Sequence, residues 1–157
     1  MFSVYLGLGS NQGNKLENIK KTVALIQERV GDLVALSGFY ETQPYGYESS
    51  EVYINAAIGV ETKLSPEELL LVTQNIEREV GRKEKTVDGE YHDRIIDIDI
   101  LLYDDLVVQT ANLTIPHSLM HKRLFVLQPL SEIAPDIIHP VLRKKIKELY
   151  KELTNNY

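Results

Sequence analysis

Apolar positions along the chain follow two rhythms that trade places from the N-terminus onward. Residues 3–8 form a near-continuous apolar run that predicts a buried strand, and the Gly-, Ser- and Asn-rich stretch 7–14 predicts a loop after it. Leu16, Ile19, Val23, Ile26 and Val30 then recur at helical spacing with charges on the opposite face, and Gly31 supplies a stop. Strand composition returns over residues 33–40 and 53–62. Ser65, Pro66 and Glu68 make an N-cap, a first-turn proline and a capping box, and Leu69, Val72, Ile76 and Val80 give the helix that follows a single apolar stripe ending at Gly81. Residues 95–103 read as another strand, 104–105 as a turn, and 106–108 as a short strand completing an edge hairpin. A last helix is predicted over 141–153, with Leu142, Ile146, Leu149 and Leu153 on its packing side. The core order is βαββαβ.

The strand at 95–103 carries two residues that a buried strand should not tolerate. Successive side chains leave a strand on opposite faces, so Asp97 and Asp99 emerge together while Ile96, Ile98 and Ile100 enter the other side. Their Cα atoms would stand roughly 6.5–7 Å apart, close enough for the carboxylates to converge on cations. Paired hard oxygen donors suit Mg²⁺, which is held by one or two carboxylates together with waters and substrate phosphates. That points to phosphoryl-type transfer. The alternative is a strand whose outer face is simply wet. The Lys- and Arg-rich stretch 82–93, with Arg94 behind it, favours the first reading: it has too little apolar surface to order itself, and a mobile cationic lid beside a metal-phosphate site neutralises charge and expels water.

Composition narrows the class. The 157 residues fit one domain, 1–157, large enough for a proper core, with no internal repeat or linker-like stretch. No window reaches the length of a membrane span, and residues 1–6 lack the build of a signal peptide, so a soluble cytoplasmic protein is expected, with no membrane partner. The absence of cysteine excludes disulfides and thiolate metal sites. A formal charge of −6 argues against nucleic acid as a partner, so any anionic ligand must be met by local cations.

Other features carry competing readings. The glycines at 7, 9 and 13, between strand and helix, resemble a dinucleotide-binding loop, but two strands in succession follow where that fold needs further βα repeats. The loop at 41–52 is long for a hairpin; Pro44, Tyr45 and Tyr47 suit a flat ligand, and a mobile surface loop is the plainer reading. Asn55 stands polar among apolar neighbours, offering donor and acceptor either to a heterocycle or to the loop. Gln74 and Glu77 share an exposed helix face. His117 and His121 lack partners at zinc-ligand spacing and read as capping or surface residues.

Taken in order, Gly9-Ser10-Asn11, Thr42-x-Pro44, Tyr53-x-Asn55-Ala56-Ala57, Gly81-Arg82, Arg94-x-x-Asp97-x-Asp99-Ile100-Leu101 and Pro116-His117-x-x-Met120-x-x-Arg123-x-Phe125-Val126-Leu127 resemble the 6-hydroxymethyl-7,8-dihydropterin pyrophosphokinases of folate biosynthesis, over nearly the whole chain. The resemblance implies an α+β fold with a ferredoxin-like core, helices covering one side of a mainly antiparallel sheet. It implies transfer of pyrophosphate from ATP to the pterin hydroxymethyl oxygen, releasing AMP. On that resemblance Asp97 and Asp99 would hold two Mg²⁺ ions. Thr42, Pro44, Tyr45, Tyr53, Asn55 and Phe125 would form the pterin site, and Gln74, Glu77, Ile98, His117, Ser118 and Arg123 would surround the nucleotide. Arg82 and Arg94 would clamp its phosphates as the catalytic cations. No general base is evident, and association with the next folate-pathway enzyme is a further implication.

The pattern departs from the family at the lid. Glu90-Tyr91-His92-Asp93-Arg94 stands where Arg-Trp-Gly-Pro-Arg is usual, so Tyr91 is the nearest substitute for the missing tryptophan; Glu84 replaces a common arginine and Gln43 a common proline. A non-catalytic nucleotide-binding module on the same fold is the rival, disfavoured by the joint presence of Asp97, Asp99, Arg82 and Arg94.

Overall fold

The computed structural model describes residues 1–42, 52–81 and 95–155. Its elements are β1 (Phe2–Ser10), α1 (Lys15–Arg29), β2 (Gly31–Leu36), β3 (Tyr40–Thr42), β4 (Tyr53–Thr62), α2 (Pro66–Gly81), β5 (Asp97–Tyr103), β6 (Val108–Gln109), β7 (Thr114–Ile115), α3 (Leu124–Ile133) and α4 (Ile146–Asn155). The main sheet runs β2-β4-β1-β5, with β3 continuing along the β2 edge of β4, and every pairing among the described residues is antiparallel.

Strand alternation divides the interior in two. Val4, Leu6 and Leu8 of β1, Ala56, Ile58 and Val60 of β4, and Ile98 and Ile100 of β5 point to one face, where Ile19, Val23 and Ile26 of α1 and Leu69 and Ile76 of α2 meet them. Ala57 and Leu101 point the other way, against Val126, Leu127 and Leu130 of α3 and Ile146 and Leu149 of α4. Helices therefore cover both faces, not the single face expected. The apolar run at 124–127 begins the helix that makes this second layer, and strand period alone does not reveal it. A bulge sets where the layer ends: Tyr5 pairs with Leu102 but Leu6 with Ile100, leaving Leu101 as an extra residue. Leu101 and Leu102 thus both enter the second core, and Tyr103 returns to the first.

Local signals held where they were self-contained. Asn14 Oδ1 accepts from Glu17 N–H at the start of α1, and Ser65 and Glu68 close the anticipated capping box, at 3.2 and 3.0 Å. Other boundaries moved. Gly7, Gly9 and Ser10 belong to β1 and not to a loop: Gly7 and Gly9 pair on both sides, with β4 and β5, and Ser10 pairs with Ile54 of β4. The strand expected at 33–40 is two, β2 and β3, broken where Ser37 Oγ accepts from Ala57 N–H (2.8 Å). Residues 106–108 do not make a hairpin with β5; β6 pairs with β7 in a separate two-stranded sheet.

The last helix starts at Ile146, five residues later than predicted, because buried His139 organises the preceding turn. Its Nδ1 accepts from the N–H groups of Val141 (3.2 Å) and Leu142 (3.0 Å), and Arg143 adopts a left-handed φ of 61°. Burial, with the nearby His121 adding to it, holds His139 below its ordinary pKa. Unfolding lets it bind a proton it lacks when folded, so stability is lost as pH falls below about 6.5. The urea midpoint of the wild type should drop more between pH 7.5 and 5.5 than that of His139→Asn, whose amide oxygen keeps the acceptor without titrating. Equal drops would remove His139 as the source.

Candidate active site

Three strands set the floor of the site. Antiparallel register puts Asp97 opposite Gly9 and Asp99 opposite Gly7, and on the other side of β1 places Gly9 opposite Asn55 and Gly7 opposite Ala57. Two rows result, Asp97-Gly9-Asn55 and Asp99-Gly7-Ala57, all on the face away from α1 and α2. The carboxylates stand on one flank and an amide on the other, with no side chain between them. At about 4.8 Å per strand, Asp97 and Asn55 are roughly 10 Å apart, room for a flat ring and its substituent. A cavity of about 830 Å³ opens above this floor, within the usual size of a small-molecule site.

Asn55 is 5% exposed and donates from Nδ2 to Thr42 Oγ1 at 2.8 Å. A Cβ at Gly9 would lie 3.0 Å from Asn55 Oδ1, so the amide oxygen reaches over the bare glycine toward the floor. β3 pairs Thr42 with Tyr53, and both line the cavity beside Asn55. The opposite wall comes from α3. Arg123 is its N-cap residue and Phe125 lies in its first turn; the guanidinium carbon stands 5.6 Å from the ring centroid, a cation–π contact inside the cavity wall.

β5 is the outer strand of the sheet, so its free edge must find partners elsewhere. Ile98 N–H donates to Glu77 Oε2 of α2 at 2.8 Å, and Leu101 C=O accepts from His117 N–H at 3.1 Å. Ile98 buries its side chain in the core, so what it offers a ligand is its backbone. The His117 Nδ1 accepts from Leu119 N–H at 3.3 Å, which leaves Nε2 to carry the proton. Burial pushes its pKa down; the Asp99 carboxylate opposes that shift and the Arg123 guanidinium adds to it.

Of the residues singled out in the sequence, Asp97, Asp99, Thr42, Tyr53, Asn55, Arg123 and Phe125 line one cavity. Glu77, Ile98 and His117 gather at the β5 edge. Gln74 and Ser118 are exposed and do not line the cavity. Pro44, Tyr45, Arg82 and Arg94 lie outside the described residues, as do Gln43, Glu84, Tyr91 and the whole expected lid. Gly7 and Gly9, expected in a loop, line this cavity from β1, and Lys122 and Gln128 line it without a signal in the sequence pattern. The glycines' signal was present in retrospect: two residues without side chains at alternate strand positions leave one face bare. A smaller cavity of about 320 Å³ near His121, Leu142 and Leu149 has no such floor.

The model of the 7,8-dihydro-6-hydroxymethylpterin-pyrophosphokinase (HPPK) family matches residues 5–135. The chain belongs to this family. It is 47% identical over 141 residues to a 2-amino-4-hydroxy-6-hydroxymethyldihydropteridine pyrophosphokinase of Porphyromonas gingivalis, covering 89% of this chain and 95% of the relative. A relative of the same name from Aquifex aeolicus is 43% identical, covering 98% and 94%. Among solved structures, a Plasmodium falciparum HPPK-DHPS superposes with a TM-score of 0.82 at 18% identity, over 99% of this chain and 44% of that one. That likeness supports the α+β fold. Family membership makes the protein an ATP-dependent pyrophosphokinase, transferring pyrophosphate to hydroxymethyldihydropterin in folate biosynthesis. No described helix is long and apolar enough to cross a membrane.

Proposed function

We propose that the cavity above β1, β4 and β5 is the place of transfer, with the pterin against Asn55, Thr42, Tyr53 and Phe125 and the triphosphate over Asp97 and Asp99. The observation that carries this is the pair of rows in which two carboxylates face an amide across bare glycines. Asn55 reads the hydrogen-bonding edge of the ring with its oxygen, its nitrogen being held by Thr42, and Phe125 stacks on the ring face.

The donor set at the other flank fits Mg²⁺: two hard carboxylates on one strand face, half-exposed to a cavity large enough to admit phosphates and water. Asp97 and Asp99 would hold two such ions, which would supply positive charge to neutralise what develops on the phosphates during transfer. The protein's own part is to hold the hydroxymethyl oxygen in line with the β-phosphorus. Glu77, the Ile98 backbone and His117 lie where the β5 edge can receive a purine, with Gln74 and Ser118 assigned to the same ligand and Arg123 reaching from the pterin wall toward it. Arg82 and Arg94, with Pro44 and Tyr45, complete the assignment on the strength of the family resemblance. We assign the whole chain, 1–157, to one cytoplasmic pyrophosphokinase domain. The length of the HPPK-DHPS chains it resembles suggests association with the enzyme that consumes its product.

Incubation with ATP, Mg²⁺ and 6-hydroxymethyl-7,8-dihydropterin should yield AMP and pterin diphosphate in equal amounts. ADP in place of AMP, or no turnover, would overturn the assignment.

A further inference from the structure

The β2–β3 connection and the far end of α3 meet in a contact that the transfer reaction itself does not require. Glu132, in the last turn of α3, accepts from Gly38 N–H at 3.1 Å through each of its two carboxylate oxygens and also accepts from the Tyr40 hydroxyl. The three donor contacts converge on one carboxylate from residues more than 90 positions away in the chain. They are charge-assisted, the stronger class of hydrogen bond. The hydrogen bond to Glu132, with burial and the carboxylate's charge adding to it, holds the Tyr40 phenol above its ordinary pKa, so the hydroxyl keeps its proton and remains the donor.

What this contact joins gives it a purpose. Tyr40 opens β3 and pairs with Asn55; two residues on, Thr42 ends β3, pairs with Tyr53 and accepts from the Asn55 amide. At the other end of α3, about two turns before Glu132, Phe125 forms the facing wall of the cavity. β3 is only three residues long and, among the described residues, pairs with β4 alone, so its ladder gives it little rigidity. Ser37 pins the preceding residue pair by bonding both to Ala57 N–H and to the Gly38 carbonyl.

We propose that Glu132 is a positioning residue for the pterin: it struts the strand carrying Thr42 against the helix carrying Phe125, fixing the gap into which the ring slides. The inference rests on the pterin site assigned above. Glu132 touches no reacting atom and lies apart from the Asp97–Asp99 pair, so its loss should act on one substrate and not on the other.

Glu132→Ala should raise the pterin Kd and KM about tenfold, the size expected when a charge-assisted contact or a small displacement is lost at a positioned ligand, while the Kd for MgATP stays within about twofold. Glu132→Gln, which retains an oxygen acceptor for Gly38 N–H and the Tyr40 hydroxyl, should recover most of the affinity. Tyr40→Phe should show a smaller loss, and the Glu132→Ala/Tyr40→Phe double variant should be no worse than Glu132→Ala alone. Pterin and MgATP titrations of the folded proteins, paired with steady-state kinetics, read this out. An unchanged pterin Kd in Glu132→Ala, or equal weakening of both ligands, overturns the proposal; if Glu132→Ala does not fold, Tyr40→Phe decides in the same way. A wild type that binds no pterin would instead overturn the site assignment, so the two failures are distinguishable.

Discussion

Asp97→Ala and Asp99→Ala are each expected to lower turnover by two to three orders of magnitude, about 3–4 kcal/mol of lost transition-state stabilisation. Either change removes a hard oxygen donor from the strand face and leaves phosphate charge under-neutralised in a half-buried cavity. Stability should move differently. Two carboxylates two residues apart on one face repel by about 0.6 kcal/mol even at the dielectric of water, so the metal-free Asp99→Ala protein should keep or raise its urea midpoint. A structural pair would give the reverse, with lower stability and intact turnover. Release of AMP across a Mg²⁺ titration and apo-protein urea melts separate the cases. A third readout is independent of turnover: Mg²⁺ with a non-hydrolysable ATP analogue should raise the wild-type melting temperature and leave Asp99→Ala nearly unmoved. Near wild-type turnover in both variants at low Mg²⁺ would remove the metal assignment.

The common face of these aspartates was legible because it depends only on the period of a strand, which a single segment carries. The helices α1 and α2 were legible for the same reason: Ile19, Val23 and Ile26, then Leu69 and Ile76, mark their buried sides at helical spacing, and the capping box at Ser65 and Glu68 is local chemistry. What needed the fold was every relation between segments. Gly7 and Gly9 look like loop residues until β4 and β5 are known to flank them, since strand register is written in neither partner alone. Glu77 reaches Ile98 only because α2 lies along the open edge of β5, and its sequence neighbours show nothing but an exposed helix face. Of the two helices on the second face of the sheet, α3 escaped because it begins in an apolar run with no polar period to declare it. At the C-terminus the pattern of Leu142, Ile146 and Leu149 continues through a turn that His139 holds non-helical; a buried imidazole accepting two backbone N–H groups outweighed the helical spacing.

At the opposite flank from the aspartates, Asn55→Leu should weaken pterin binding about a hundredfold while leaving MgATP affinity unchanged. Leucine repeats the branched heavy-atom skeleton of asparagine, so the wall keeps its outline, but the oxygen that reaches over Gly9 and the nitrogen that holds Thr42 are both lost. A site built to hydrogen-bond a ligand discriminates strongly because polar groups left without partners on desolvation cost about 1–3 kcal/mol each, and here the pterin edge and the Thr42 hydroxyl both lose theirs. Thr42→Val removes only the Asn55 anchor: Nδ2 loses its acceptor, the amide is free to turn, and the loss should be about tenfold or less, near 1 kcal/mol. On the proposed site, Asn55→Leu should be worse than Thr42→Val because the first removes the amide that would meet the ring's hydrogen-bonding edge and the second removes only the acceptor that orients that amide. Calorimetric titration of the pterin into each variant, with MgATP titrated separately, tests the order. Equal losses for the two variants would mean that the amide acts only as a strut between β3 and β4; an unchanged pterin affinity in Asn55→Leu would move the ring away from this flank, and with it the reading of the bare glycine floor as its seat.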